Sequence, residues 1–381
     1  MSDRFIVIYQ LTPGAGEDVE AMCRGIALEQ TVEMDADLIG SSQILDDIVG
    51  DIRAIDPLAE PGGSYRAEVA YHVSVTAFAL PQLLNVLFGN ISIKNNIRIV
   101  GLRLPETLLA RWRGPSHGIA GIRRLVEVEH RPLAVTALKP MGSSPEALAR
   151  MAEAFARGGG DIVKDDHGLA DQSFCPFRER VARCQERVTR AAQATGHPTR
   201  YFPNISAPHE ELEAQMEFAV EQGVQGVLVS PFLLGLDTVR YLSEKYPVAF
   251  MAHPALTGTH FHDRRHGMIP AVLLGTLFRL AGCDLSIYPN RGGRFSFTAD
   301  ECLAINDALR EPLGQLAPAF PVPAGGMSLA RIPEMTKEYG RDTAYLIGGG
   351  LLREDPDLGV ATRRFVDAIE KSVTDQSAGR G

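Results

Sequence analysis

No apolar run in this chain approaches the roughly 20 residues that a membrane-spanning helix requires, so no membrane partner is expected. Positive charge is also short: 38 Lys and Arg stand against 47 Asp and Glu, a net charge of −9. A surface of that sign repels phosphate backbones, and no basic run carries interleaved aromatics, so nucleic acid is not an expected partner. Cysteine is scarce and unpatterned. Cys23, Cys175, Cys184, Cys283 and Cys302 are odd in number and nowhere spaced as CxxC, which argues against a disulfide framework or a structural zinc site. The opening Met-Ser-Asp-Arg shows no apolar stretch behind a basic one, so no secretory leader is expected and a cytoplasmic location is. The single tryptophan, Trp112, reads as a packing residue.

What remains is an ordinary globular composition. With 381 residues, 45% of them hydrophobic and 22% charged, two or three domains with a large core are expected. Residues 4–11 are rich in β-branched and aromatic types and read as a strand. Gly14 to Gly16 turn the chain, and 17–29 have helical spacing through Val19, Met22 and Ile26. Strand material follows at 66–79, a helix at 81–87 and more strand at 91–104. The order strand–helix–strand–strand–helix–strand predicts a ferredoxin-like α+β domain over 1–120.

From residue 131 the rhythm changes. Apolar strands at 133–139, 161–166, 201–205, 226–231, 248–253, 285–289, 321–326 and 344–350 alternate with helical segments, clearest at 146–157, 178–194, 210–222 and 268–281. Strands alternating with helices mean a parallel sheet, and eight such units predict an α/β fold of the (β/α)8 TIM-barrel type over 121–381. A helix at about 360–371 closes it, and the tail at 375–381 is expected to fray.

One stretch organises the second half: Gly158-Gly159-Gly160-Asp161-Ile162-Val163-Lys164-Asp165-Asp166-His167. An isolated Lys-Asp-Asp would read as an ion pair. Here it ends an apolar strand behind a glycine turn, where α/β barrels keep their chemistry. Alternation along a strand puts Lys164 and Asp166 on one face, with His167 following at the strand's end.

The same stretch resembles the signature of the ribulose bisphosphate carboxylase large chain, where a glycine pair precedes a strand ending Lys-Asp-Asp-Glu. The resemblance implies a lysine carbamylated by CO2, with one Mg2+ per subunit held by Lys164, Asp166 and His167. A carbamate makes a cationic side chain into an anionic oxygen donor, the hard ligand that Mg2+ prefers. His167 replaces the family's glutamate, and its neutral nitrogen would suit another divalent metal as well.

Further landmarks follow in order. Ala27-Leu28-Glu29-Gln30-Thr31 and Gly89-Asn90 are similar to segments that complete a neighbouring subunit's site, implying a homodimer with shared sites through Glu29 and Asn90. Gly114-Pro115-Ser116-His117-Gly118 resembles the family linker. Lys139, in Leu138-Lys139-Pro140, matches a catalytic lysine; Asn204 and His253 match residues ending strands three and five. Ala324-Gly325-Gly326 and Gly348-Gly349-Gly350 resemble phosphate-binding turns, implying a cradle of Gly326, Gly349 and Gly350 with Arg294.

The departures narrow the expected activity. Three polar phosphate ligands of the family fall at Pro254, Ile287 and Ala324, and burying a second phosphate there without donors would be severely unfavourable. Met141 replaces the second strand-one lysine. Arg294 replaces the loop lysine, and an arginine stays protonated and serves poorly as a proton shuttle. CO2 fixation is therefore not expected. A sugar monophosphate with a less polar far end is the expected substrate, and proton transfer through an enediolate the expected chemistry. Within the non-carboxylating branch, an isomerase of 5-methylthioribulose 1-phosphate leads. A decarboxylase of 3-oxo-isoapionate 4-phosphate and an enolase of the diketo methylthiopentyl phosphate stand as alternatives, and a non-catalytic sugar-phosphate-binding protein is the reading from a different class. The histidine-rich run His260, His262 and His266 fits no standard metal spacing and reads as a solvated loop.

Overall fold

A computed structural model describes residues 3–59 and 63–378. Two compact units divide the chain: one gathers residues 1–113, 256–277 and 312–316, the other 114–255, 278–311 and 317–381.

Alternation builds the first unit's sheet. β1 (Arg4–Leu11) runs half-exposed, buried, half-exposed along its whole length, as a strand with one covered face must. After α1 (Val19–Glu29) come β2 (Asp51–Pro57), β3 (Tyr65–His72), α2 (Leu80–Phe88) and β4 (Ile97–Arg103). The sheet order is β4-β1-β3-β2 with antiparallel neighbours, the expected ferredoxin-like arrangement. A two-residue strand, Gly267–Met268, adds in parallel to β4.

Two strands are shorter than the sequence suggested. The one expected at 66–79 ends at His72, whose ring accepts the Ser74 N–H and starts a helical turn over Val73–Thr76. The one expected at 91–104 begins only at Ile97, because Gln30 draws the preceding segment into a turn. Its Oε1 accepts from the Ile91 N–H at 3.2 Å, while its Nε2 donates to the carbonyls of Asn85 and Val86. β2, implied by the expected strand order but assigned no residues there, is an edge strand without a buried residue.

The second unit is an eight-stranded parallel barrel. Its strands are β5 (Leu133–Leu138), β6 (Ile162–Asp165), β7 (Arg200–Phe202), β8 (Gly226–Val229), β9 (Ala249–Ala252), β10 (Leu285–Pro289), β11 (Phe320–Ala324) and β12 (Ala344–Leu346). They pair in the order β7-β6-β5-β12-β11-β10-β9-β8. The ring closes between the end strands, where the Leu228 N–H donates to Pro203 O at 2.8 Å and the Ile205 N–H to Leu228 O at 2.9 Å. Strands covered on both faces lose polar alternation, which is why these read as continuous apolar runs.

Lumen-facing positions can be followed strand by strand. Val135, Ile162, Phe202, Leu228, Met251 and Leu346 belong to one buried cluster, into which the helix Gly118–Val126 inserts Ile122 and Val126. Counting two residues at a time from these positions turns Lys139, Lys164, Asp166, Asn204, Ser230, His253 and Gly348 toward the lumen at the ends of their strands.

Outer elements differ from expectation in two places. The helix expected at 268–281 is a wide-turn segment, Ala271–Leu277, followed by Phe278–Leu280. The closing helix runs Leu358–Ala378, through most of the tail expected to fray, and 379–381 lie outside the described residues. Among the described residues no helix is long and apolar enough to cross a membrane.

Candidate active site

Alternation along β6 separates the Lys-Asp-Asp run into two jobs. Asp165, fully buried, turns away from the lumen and is held by Arg180 Nε at 2.9 Å, the Tyr201 hydroxyl at 2.8 Å and the Asn204 N–H at 3.0 Å. Lys164 turns inward, 3% exposed, with Nζ donating to the Asp165 carbonyl at 3.0 Å and not to a carboxylate. The simple Lys164–Asp165 ion pair is therefore absent. Burial, with help from Lys139, lowers the Lys164 pKa to about 8 despite the opposing pull of Asp166 and Asp165. Near neutral pH part of this amine is unprotonated, the form that attacks CO2.

Asp166 is the carboxylate of the lumen. Burial pushes its pKa up, but the hydrogen bonds from Lys139 Nζ and the Gly168 N–H outweigh that and hold it below the usual carboxylate range. Beside it, His167 stacks on His253 with ring centroids 3.9 Å apart. Desolvation lowers the pKa of both imidazoles, assisted at His253 by Lys164 and held back at His167 by Asp166. His253 Nδ1 accepts the Ala255 N–H at 3.1 Å, which leaves the proton of a neutral ring on Nε2. Asn204 is 1% exposed and commits its Nδ2 to the carbonyls of His167 and Leu169, at 3.1 and 2.8 Å.

Turns after β10, β11 and β12 pack against one another. Gly326 has φ +62°, and a Cβ there would lie 2.4 Å from Gly293 Cα, so only glycine fits. A Cβ on Gly350 would stand 3.2 Å from Met327 O, and one on Gly348 would stand 3.9 Å from Lys139 Cε. Arg294, Gly326, Gly349 and Gly350 thus lie on touching turns, and Lys139 lies between them and Asp166. Among the charges acting on His167 is that of Arg294. Gly326→Ala is expected to weaken binding of inorganic phosphate more than tenfold, read by calorimetry, because the β10 and β11 turns would have to separate.

Glu29 and Asn90 belong to the first unit, where Asn90 Nδ2 donates to Glu29 Oε1 at 3.1 Å and Lys94 Nζ lies 3.0 Å from Glu29 Oε2. The sequence reading missed Arg180, which is fully buried on the apolar face of its helix with Val181, Cys184 and Val188. A charge on an apolar stripe was the available signal. It also missed that Met141, 52% exposed, hangs over Gly168: a Cβ on Gly168 would lie 2.4 Å from Met141 Cε and 3.3 Å from Asp166 Oδ1.

Comparison with known proteins matches this geometry to a family. Residues 1–108 fit the N-terminal domain of the ribulose bisphosphate carboxylase large chain and residues 118–291 its catalytic domain. The chain is 38% identical over 371 residues to a 5-methylthioribulose-1-phosphate isomerase of Rhodospirillum rubrum, covering 97% of each. The chain belongs to the RuBisCO large-chain family. Among its relatives are RuBisCO-like proteins and enzymes named for methylthio-sugar phosphates. A 2,3-diketo-5-methylthiopentyl-1-phosphate enolase of Geobacillus thermodenitrificans is 32% identical, with 88% of this chain and 84% of that one covered. The crystal structure of a RuBisCO-like protein from Rhodopseudomonas palustris superposes with a TM-score of 0.88 at 36% identity, covering 97% and 98%. A dimeric archaeal RuBisCO from Hyperthermus butylicus gives 0.90 at 25%, covering 98% and 91%.

RuBisCO chemistry implies a divalent metal, and the donors present fit one. Asp166 already carries a cation, the ammonium of Lys139. Two positions beyond the paired Lys164 and Phe202, Asp166 and Asn204 become neighbours across β6 and β7. No cluster of three or more His, Cys, Asp or Glu occurs at metal-holding distance among the described residues. Beside Asp166 and the neutral His167, Lys164 is the position that the resemblance assigns to a third ligand.

Proposed function

We propose that this RuBisCO-like protein is a cytoplasmic, metal-dependent isomerase of a methylthio-sugar monophosphate, with 5-methylthioribulose 1-phosphate as its substrate. The observation that carries the choice is Met141. An exposed thioether beside Asp166 offers an apolar surface where an alkylthio tail can pack, while Pro254, Ile287 and Ala324 provide no donors for a second phosphate. The relative from Rhodospirillum rubrum supports the same reading.

In this reading Lys164 as its carbamate, Asp166 and His167 would hold a Mg2+ ion, which would supply Lewis-acid polarisation of the substrate carbonyl. The rest falls to the chain. Arg294 and the amides of Gly326, Gly349 and Gly350 bind the single phosphate and fix the register of the carbon backbone. His253, kept neutral by its burial, donates a hydrogen bond to a substrate oxygen without adding charge. Asn204 orients His167 through its carbonyl. Lys139, placed between the carboxylate and the phosphate turns, acts as a free amine after giving up one ammonium proton: it takes a proton from the carbon next to the carbonyl, becoming an ammonium again, and returns a proton to a neighbouring carbon.

Incubation with 5-methylthioribulose 1-phosphate, Mg2+ and bicarbonate should give an isomeric phosphate in the phosphorus spectrum with the methylthio group retained. A second reading, the enolase, is favoured by the relatives of that name and would show instead as consumption of 2,3-diketo-5-methylthiopentyl 1-phosphate. Release of CO2 from 3-oxo-isoapionate 4-phosphate with no isomerisation would overturn both.

The working form in this proposal is a homodimer in which Glu29 and Asn90 of one protomer complete the site on the barrel of the other. Mixing inactive Glu29→Gln chains with inactive Lys164→Ala chains should restore part of the activity, since one site per mixed dimer then has both residues. No recovery in dimers shown to be mixed would contradict shared sites.

A further inference from the structure

Ser230 follows directly on β8 and stands at the N-cap of the short helix Pro231–Leu234. A serine at an N-cap usually turns its hydroxyl back onto the second or third amide. This one makes no such bond. Its Oγ is buried, the residue being 4% exposed, and has no hydrogen-bond partner. Leu228, two residues earlier, lies in the lumen cluster, so Ser230 faces the lumen above it.

The neighbours on both sides belong to the site. Val229 pairs with Ala252, and the His253 N–H donates to Val229 O at 2.8 Å, so Ser230 stands beside His253 at the usual inter-strand spacing of about 4.8 Å. On the other side Leu228 bridges to Asn204, whose Oδ1 is the other unpartnered buried atom of these strand ends. The amide orientation of Asn204 is fixed, because its nitrogen faces two carbonyls. The oxygen is therefore what the lumen meets.

Unpartnered buried polar atoms cost free energy, and these two stand on adjacent strands, Ser230 one lumen step beyond the residue paired with Asn204, where one ligand group can lie between them. The chemistry of that group follows from theirs. Asn204 Oδ1 can only accept a hydrogen bond, whereas the Ser230 hydroxyl can donate one. A substrate hydroxyl satisfies both at once, donating to Asn204 and accepting from Ser230. A carbonyl satisfies only Ser230, and a deoxy carbon neither. We propose that Ser230 and Asn204 form a subsite that reads one hydroxyl of the sugar phosphate backbone, with Ser230 a specificity-determining residue. This rests on the sugar-phosphate reading above but not on the identity of the tail or on isomerisation.

The test uses pentitol monophosphates, which cannot be enolised. Calorimetry on the full chain with Mg2+ and bicarbonate would compare ribitol 5-phosphate with its singly deoxygenated analogues and with inorganic phosphate. One deoxy analogue should bind about tenfold more weakly than the parent. Ser230→Ala should bind the parent about tenfold more weakly, lose that discrimination, and bind inorganic phosphate unchanged, while Ser230→Thr keeps it. Because the hydroxyl bonds nothing in the chain, Ser230→Ala should not lower the melting temperature; a purely structural serine would. Equal discrimination by wild type and Ser230→Ala overturns the proposal, as does pentitol phosphate binding no tighter than inorganic phosphate. Hydroxyl discrimination without turnover of methylthioribulose 1-phosphate would remove the isomerase and leave this subsite standing.

Discussion

Lys164→Ala and Lys164→Arg are both expected to cut turnover by more than about a hundredfold, since loss of a residue that only orients a metal ligand already costs 10–100-fold. Arginine keeps the charge but cannot form the carbamate, so its failure separates the two roles of the lysine. The pH dependence follows from burial. With the amine pKa at about 8, the neutral fraction rises as pH increases through 8 and falls below it. At fixed dissolved CO2, the carbamate signal from 13CO2 should grow through that range and be absent in both variants. A carbamate signal of equal size in Lys164→Arg would place the modification elsewhere.

Asp165→Ala is expected to destabilise the fold by about 3–5 kcal/mol, because it leaves the guanidinium of Arg180 buried without its counter-charge. Arg180 and Asp165 are both fully buried, and Asp165 also holds the Tyr201 hydroxyl and the Asn204 N–H. The urea midpoint reads this directly. A joint replacement, Asp165→Leu with Arg180→Met, should recover much of the loss, since removing both charges spares the cost of either alone. If Asp165→Ala leaves the midpoint unmoved, the network does not anchor β6, and the orientation of Lys164 needs another explanation.

How much of this could be read from the chain depends on which residues carried the signal. The boundaries of β1 and β10 were legible to the residue, because an alternating or mostly apolar run ends there in turn residues. Lys164 and Asp166 sharing a face followed from the two-residue period alone. Arg180 was not legible as a structural partner, since helical spacing accounts for its apolar neighbours and no pattern links it to Asp165 fifteen positions earlier. β2 escaped because an edge strand with no buried residue leaves no alternation to see. The wide turns of Ala271–Leu277 have the same apolar composition as an ordinary helix. Ser230 was hidden for a different reason: a serine before a proline predicts a cap, and only coordinates reveal a hydroxyl that does not make one.

The proposed reaction moves a proton between backbone carbons of a methylthio-sugar monophosphate. Turnover of 5-methylthioribulose 1-phosphate in D2O, followed by proton and carbon spectra, tests it most directly. An ammonium at Lys139 with a side chain 44% exposed exchanges its protons with solvent, so the isomer should carry deuterium at a backbone carbon, and Lys139→Ala should abolish both the isomer and the label. Neither isomer nor exchange in wild-type protein loaded with Mg2+ and bicarbonate would contradict the account.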